Sequence, residues 1–179
     1  MRSIYRAHLC AIVIGLVGAS LFAGCATEKP AGNATTTAPA TDLPYATAPL
    51  PANGYKATIT LAEPPTKLRP GQKVTIQVKA RNASDVPWKV RGGGDDNKFY
   101  IAVGDRWLSA DGTVITAQDG RYGLNRNLQP GEETEVPLLI TAPKDPGEYI
   151  LEIDLVQEQV AWFHDKGSPT ARIKIRVDR

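Results

Sequence analysis

Soft metal ligands are scarce in this chain. Its 179 residues include two cysteines, two histidines and one methionine. Both cysteines, Cys10 and Cys25, lie near the start, so everything beyond them must be held by an apolar core rather than by a disulfide. His164 is the one histidine after His8. Zinc, copper and haem sites need several Cys, His or Met ligands; that inventory is missing, and no cofactor is expected. A charge excess is missing too: Lys+Arg number 21 against 19 Asp+Glu, and without Arg2 and Arg6 the balance is 19 to 19. Nucleic-acid binding calls for a basic patch, so no nucleic-acid partner is expected.

Long apolar runs are equally rare. The one that stands out, Leu9 to Gly24, carries no charge and follows Arg2 and Arg6. It is shorter than the roughly 20 residues that cross a bilayer. A positive start, an apolar middle and the small residues Ala23 and Gly24 have the build of a secretory signal peptide over residues 1–24. The run ends in "LFAGC". This resembles the lipobox of bacterial lipoproteins: Ala23, Gly24 and Cys25 match, with Phe22 where leucine is usual and Leu21 one place earlier. The resemblance implies cleavage before Cys25, a diacylglycerol on its thiol, and usually a further acyl chain such as palmitate. Two chains hold a protein firmly to a membrane where one anchors it marginally. Ala26, not aspartate, follows Cys25; in a host with two membranes the resemblance then implies the outer one, facing the periplasm. The alternative is a secreted protein with a chance cysteine at the cleavage point.

Residues 25–54 are rich in Ala, Thr and Pro and lack apolar periodicity. Such a segment cannot bury enough surface to offset its ordering entropy and reads as a flexible tether. As a coil it spans about 30 Å.

From Tyr55 to Arg179 the texture changes to period two. "YKATITL", "KVTIQVKA", "FYIAV", "TEVPLLI", "EYILEIDL" and "ARIKIRV" each alternate apolar and polar residues. That pattern predicts strands with one buried face. Turn signals such as "EPP", "RPGQ", "RGGGDD", "QPGE" and "KDPGE" separate them, and no helical period competes. The expected fold is all-β: a single antiparallel β-sandwich over 55–179.

In "DPGEY", a tight turn leads to Tyr149 at the head of a strongly alternating strand. This resembles the tyrosine corner of Ig-like sandwiches, whose phenol bonds nearby backbone. A wider likeness rests on "RNASDVPW", "RWLSADGTV", "DGRYGL", "LQPGEE", "APKDPGEY" and "LEIDLVQEQVAWF". These segments are similar to the Ig-like accessory domain appended to bacterial glycosyltransferases, methyltransferases and other envelope-polysaccharide proteins. They are more distantly similar to the four-tryptophan Ig-like domain of autophagy receptors. Gln159 stands where glycine is commoner, and Asp105 where an aromatic residue often precedes "RWL". The resemblance implies an Ig-like sandwich without its own catalytic centre and names no ligand.

Several residues are candidates for a site. Trp88, Trp107 and Trp162 offer faces on which a sugar ring stacks, or large areas for a core. Trp107 shares the parity of Ile101 and Val103 and is expected inside; Trp88, after Pro87, is expected near a sheet edge. "QDGRYGLNRN" places Arg121, Tyr122 and Arg126 together, a set able to bind a carboxylate or sugar acid, or to form a packed, solvated loop. The Asp95–Asp96 loop offers oxygens for calcium, short of the six to eight such a site takes. His164–Asp165 suggests a base and its orienter, with no nucleophile context beside it.

The expected function is a membrane-anchored, non-catalytic binding or assembly module of the cell envelope, with an envelope protein or a glycan as partner. One alternative is an envelope glycan hydrolase using paired carboxylates, with Asp111, Asp119 and Glu158 available. Another is a proteinase-inhibitor-like sandwich.

Overall fold

The computed structural model describes residues 44–116 and 120–179. The signal peptide, Cys25, Asp119 and the tether up to residue 43 lie outside the described residues.

The longer alternating segments form strands. Their ranges are Ala57–Ala62 (β1), Lys73–Asn82 (β3), Ile101–Ser109 (β4), Glu133–Thr141 (β7), Gly147–Gln157 (β8) and Ala171–Val177 (β10). Short strands complete the fold: Lys67–Leu68 (β2), Val114–Thr116 (β5), Arg121–Gly123 (β6) and Ala161–Trp162 (β9). No α-helix occurs among the described residues, only two short 3-10 turns, Ala52–Gly54 and His164–Lys166.

One sheet runs β1-β3-β7; the other runs β2-β10-β8-β4-β5, with β6 also paired to β4 and β9 to β8. Strands one, three and seven thus oppose strands four, eight and ten, the arrangement of the A, B, E and C, F, G strands of an Ig-like sandwich. All pairs are antiparallel except β10 with β2, which is parallel. The exception has a local cause. Glu63 takes a φ of 45° and Pro64–Pro65 follow, so ladder pairing with β3 stops. The chain crosses to the other sheet and meets β10 running the same way.

The predicted parity places the core. Ile76, Val78 and Ala80 of β3 and Val136, Leu138 and Ile140 of β7 are buried. They face Ile101, Val103 and Trp107 of β4 and Leu151, Ile153 and Leu155 of β8, also buried. Two Pro-Gly turns set the β2–β3 and β6–β7 connections. Gly71 (φ 69°) and Gly131 (φ 83°) sit at their third positions, and Gln72 N–H and Glu132 N–H bond Arg69 and Gln129 carbonyls at 3.0 Å. These are type II turns, where glycine supplies the positive φ. The tyrosine corner is present: Tyr149 Oη donates to the Asp145 carbonyl at 2.8 Å.

Three expectations need correction. The tether does not run to residue 54. Ala46 bridges Gly92, the Leu50 N–H donates to Gln157 Oε1 at 3.0 Å, and Gly54 is buried. The body therefore includes residues 44–54. Second, β4 begins at Ile101, because Phe99 turns to a φ of 67° and breaks the extended run. Third, β4 and β8 are buried on both faces, not one: Ala102, Leu108, Glu152, Asp154 and Val156 are all buried. Side chains fold over that outer face: Arg121 and Trp162 over Gly104, His164 against Asp154, and Arg106, Thr170 and Arg172 against Glu152.

Candidate binding cleft on the outer sheet face

Register decides what meets on this face. Gly104 of β4 pairs with Arg121 of β6 on one side and Asp154 of β8 on the other. Two residues along, Ala102 pairs with Gly123 and Val156, and Val156 pairs with Trp162 of β9. Since alternate residues share a face, the side chains of Arg121, Asp154, Val156 and Trp162 project outward with the bare backbone of Gly104 between them.

Arg121 reaches across that gap. Its guanidinium carbon lies 4.3 Å from the centre of the Trp162 ring, and its Nε pairs with Glu158 Oε1 at 3.2 Å. A Cβ on Gly104 would stand 2.9 Å from Trp162 Cη2 and would also strike Arg121 Nη1. The glycine is what allows the stack. A second cation–aromatic pair lies nearby: Arg91 sits 4.4 Å over the Tyr100 ring and bonds the Tyr100 hydroxyl. Tyr100 in turn occupies the space that a side chain at Gly123 would take. Tyr100, Ala102, Arg121, Gly123, Asn97 and Glu158 line an open cleft of about 550 Å³.

Gln159 also lines the cleft. Its φ of 60° is the left-handed region that glycine takes without strain. The glutamine instead ties two loops together, its Nε2 donating to the Asp96 carbonyl at 2.7 Å. The glycine-rich loop before β4 is therefore held at its Asp96 end. Asp96 Oδ1 accepts from Lys98 N–H at 3.1 Å. No group of three metal-ligating His, Cys, Asp or Glu side chains occurs among the described residues.

Beside the cleft run two buried carboxylates. Glu152, 1% exposed, accepts from Arg106, from Arg172 at 2.7 Å and from Thr170 at 2.9 Å. Burial works to raise its pKa, but the Arg106, Arg172 and Thr170 bonds outweigh it and hold the carboxyl below its ordinary value. Asp154 shows the reverse. Burial pushes it up, and the bonds from His164 and from Leu155 N–H do not offset that. His164 Nδ1 lies 2.6 Å from Asp154 Oδ2 and Nε2 lies 3.2 Å from Asp165 Oδ1. The histidine sits on a 3-10 turn rather than a strand, which lets it meet both carboxylates.

Of the sequence candidates, Arg121 and Trp162 are brought together. Tyr122, 44% exposed, pairs with Val103 and has the opposite parity to Arg121. Arg126 lies elsewhere, donating to the Glu133 carbonyl at 2.6 Å and to Glu132 at 3.1 Å; it caps the open edge of β7. Trp88 is fully buried rather than at an exposed edge. Its backbone pairs with Leu128, its Nε1 donates to the Gly54 carbonyl at 2.8 Å, and its ring packs edge-on against Phe163. It offers no face to a ligand. Tyr100, Glu158 and Gly104 are site residues that sequence reasoning left out of the binding set. The signal for Gly104 was present: a glycine inside a strand marks a close approach.

Asp111 and Glu158 do not form a catalytic pair. Asp111 sits in the turn after β4, bonded to Ser109, while Glu158 N–H bonds the Tyr100 carbonyl just before β4. The nine residues of β4 lie between them, about 30 Å at ~3.4 Å per residue. Paired glycosidase carboxylates stand about 5–10 Å apart.

Neither a family model nor a curated protein matches the chain. Similar solved structures include the CARDB domain of the PF1109 protein from Pyrococcus furiosus in complex with di-metal ions. It is 15% identical over 69% of this chain and 86% of that one, with a TM-score of 0.40. Spo0M, a sporulation control protein from Bacillus subtilis, is 18% identical over 69% of this chain and 49% of that one, with a TM-score of 0.40. A beta-glucosidase from Listeria innocua in complex with glucose is 12% identical over 69% of this chain, with a TM-score of 0.41; the match spans only 16% of that enzyme.

Proposed function

We propose that this chain is a lipid-anchored, non-catalytic binding module of a bacterial cell envelope. Cys25 carries the anchor, residues 26–43 give reach, and the sandwich presents the outer face of its larger sheet to an envelope partner. The "LFAGC" segment supports the anchor. The observation that carries the binding role is the Arg121–Trp162 stack over Gly104 at the side of an open cleft. That arrangement supplies π surface, donors and acceptors in fixed positions. Against turnover stand the separation of Asp111 from Glu158 and the surroundings of His164, whose two ring nitrogens meet carboxylates instead of a hydroxyl or thiol.

The test uses native protein extracted from its own membranes in mild detergent. An envelope component is expected to co-purify in fixed ratio, and the Arg121→Ala/Trp162→Ala variant is expected to lose it while remaining in the detergent phase. Retention of the component by that variant, or hydrolysis of an envelope glycan that Glu158→Gln abolishes, contradicts the proposal.

A further inference from the structure

We propose that the cleft between Tyr100 and Arg121 is a saccharide site that takes a segment of a neutral glycan. The inference rests on the binding role above and names the ligand class for the same face.

The walls rule out the other classes. An apolar ligand would strip water from Arg121, Glu158 and Asn97 without replacing their bonds. An anion gains little, because Glu158 already pairs with the Arg121 Nε and Asp96 adds a second carboxylate to the rim. A cation meets the Arg121 guanidinium on the same wall. A neutral polyol suits every partner present. Each hydroxyl both donates and accepts, matching the acceptor Glu158, the donor Arg121 and the two-way amide of Asn97. The C–H faces of a sugar ring lie against aromatic and small apolar groups, here the Tyr100 ring, with Ala102 and Gly123 also lining the cleft.

Size and rigidity agree. At about 550 Å³ the cleft falls inside the ~300–1,000 Å³ range of small-molecule sites. Because it is open, a chain can lie across it. Its walls are held before any ligand arrives: Arg121 by Trp162 and Glu158, Tyr100 by Arg91, and the rim by the Gln159–Asp96 bond. Such preorganisation lowers the ordering cost of binding.

The experiment is an NMR titration of the full mature protein in detergent with neutral oligomers of hexose, N-acetylhexosamine and pentose, and with an oligogalacturonate. Trp88 and Trp107 are buried, so the Trp162 indole N–H is the reporter among the tryptophans. The expected result is saturable movement of the Trp162 indole and of the Ala102 and Gly123 amides with at least one neutral oligomer, and weaker response to the acidic one. Arg121→Ala and Tyr100→Ala are each expected to weaken that binding at least tenfold. Arg126→Ala, on the β7 edge, is expected to leave it unchanged. Glu158→Gln, which unpairs Arg121, is expected to shift preference toward the acidic oligomer. No response to any neutral oligomer, or binding indifferent to Arg121 and Tyr100, overturns the saccharide site. The binding role survives that result if a co-purifying envelope protein is still lost in the Arg121→Ala/Trp162→Ala variant, and falls if nothing is lost.

Discussion

Arg121 lies 4.3 Å over the Trp162 ring, and the two side chains come from β6 and β9, on either side of the β4–β8 pair. They meet because Gly104, between them, has no side chain. Gly104→Ala tests this directly. The new methyl would stand 2.9 Å from the indole, so the ring or the guanidinium must move. Loss of one partly exposed cation–π contact, about 0.5–1 kcal/mol, plus local crowding places the expected destabilisation at about 1–2 kcal/mol. Chemical denaturation measures it, and the Trp162 indole resonance should shift.

The pH dependence of stability should carry the mark of Glu152. Its carboxyl is held below the ordinary value in the fold, so the unfolded chain binds the proton more tightly. The stabilisation is then present above the ordinary carboxylate value, about 4.3, and is lost as pH falls through the lower folded value. Glu152→Gln should flatten the acid limb of the stability profile. Glu152→Ala removes a buried ion-pair partner and should cost about 3 kcal/mol at pH 7, the low end of the range because Arg172 is already 58% exposed. Asp154 works the other way. Its raised value means that its contribution is present below the ordinary value and lost as pH rises through the folded one, so Asp154→Asn should remove that component.

Two tryptophans separate core from site. Trp88→Ala should cost about 3–5 kcal/mol, since the ring is fully buried and its loss also orphans the Gly54 carbonyl. Trp162→Ala, at a half-buried position, should cost less than half as much. Equilibrium denaturation of the two variants gives the comparison.

The start of the body can be measured by truncation. Removing everything before residue 44 should leave stability unchanged. Removing everything before Tyr55 takes the Gly54 carbonyl from Trp88 and the Leu50 N–H from Gln157. Leaving those buried groups with fewer partners should cost about 2–4 kcal/mol.

The sequence was most legible where a pattern repeats. Six strands announced themselves because each alternates over five or more residues, and "RPGQ" and "QPGE" because Pro-Gly admits few turns. Tyr149 was readable from its place after such a turn. β2, β5, β6 and β9 have two or three residues each, too few to show a period. Residues 44–54 were misread because single contacts fix them, such as the Ala46–Gly92 bridge, and composition does not register these. Glu152 and Asp154 looked solvent-facing by their chemistry; only the arginines and histidine folded over them reveal that they are buried. Arg121 and Trp162 were both singled out, yet their meeting depends on the β6–β4–β8–β9 register, which no single segment encodes.

The most direct measurement of the central claim is the mass of the amino-terminal peptide of protein purified from native membranes. The expected peptide begins at Cys25 and is heavier than its residues by a diacylglyceryl group, with or without a further acyl chain. A peptide bearing an unmodified Cys25 thiol would contradict it.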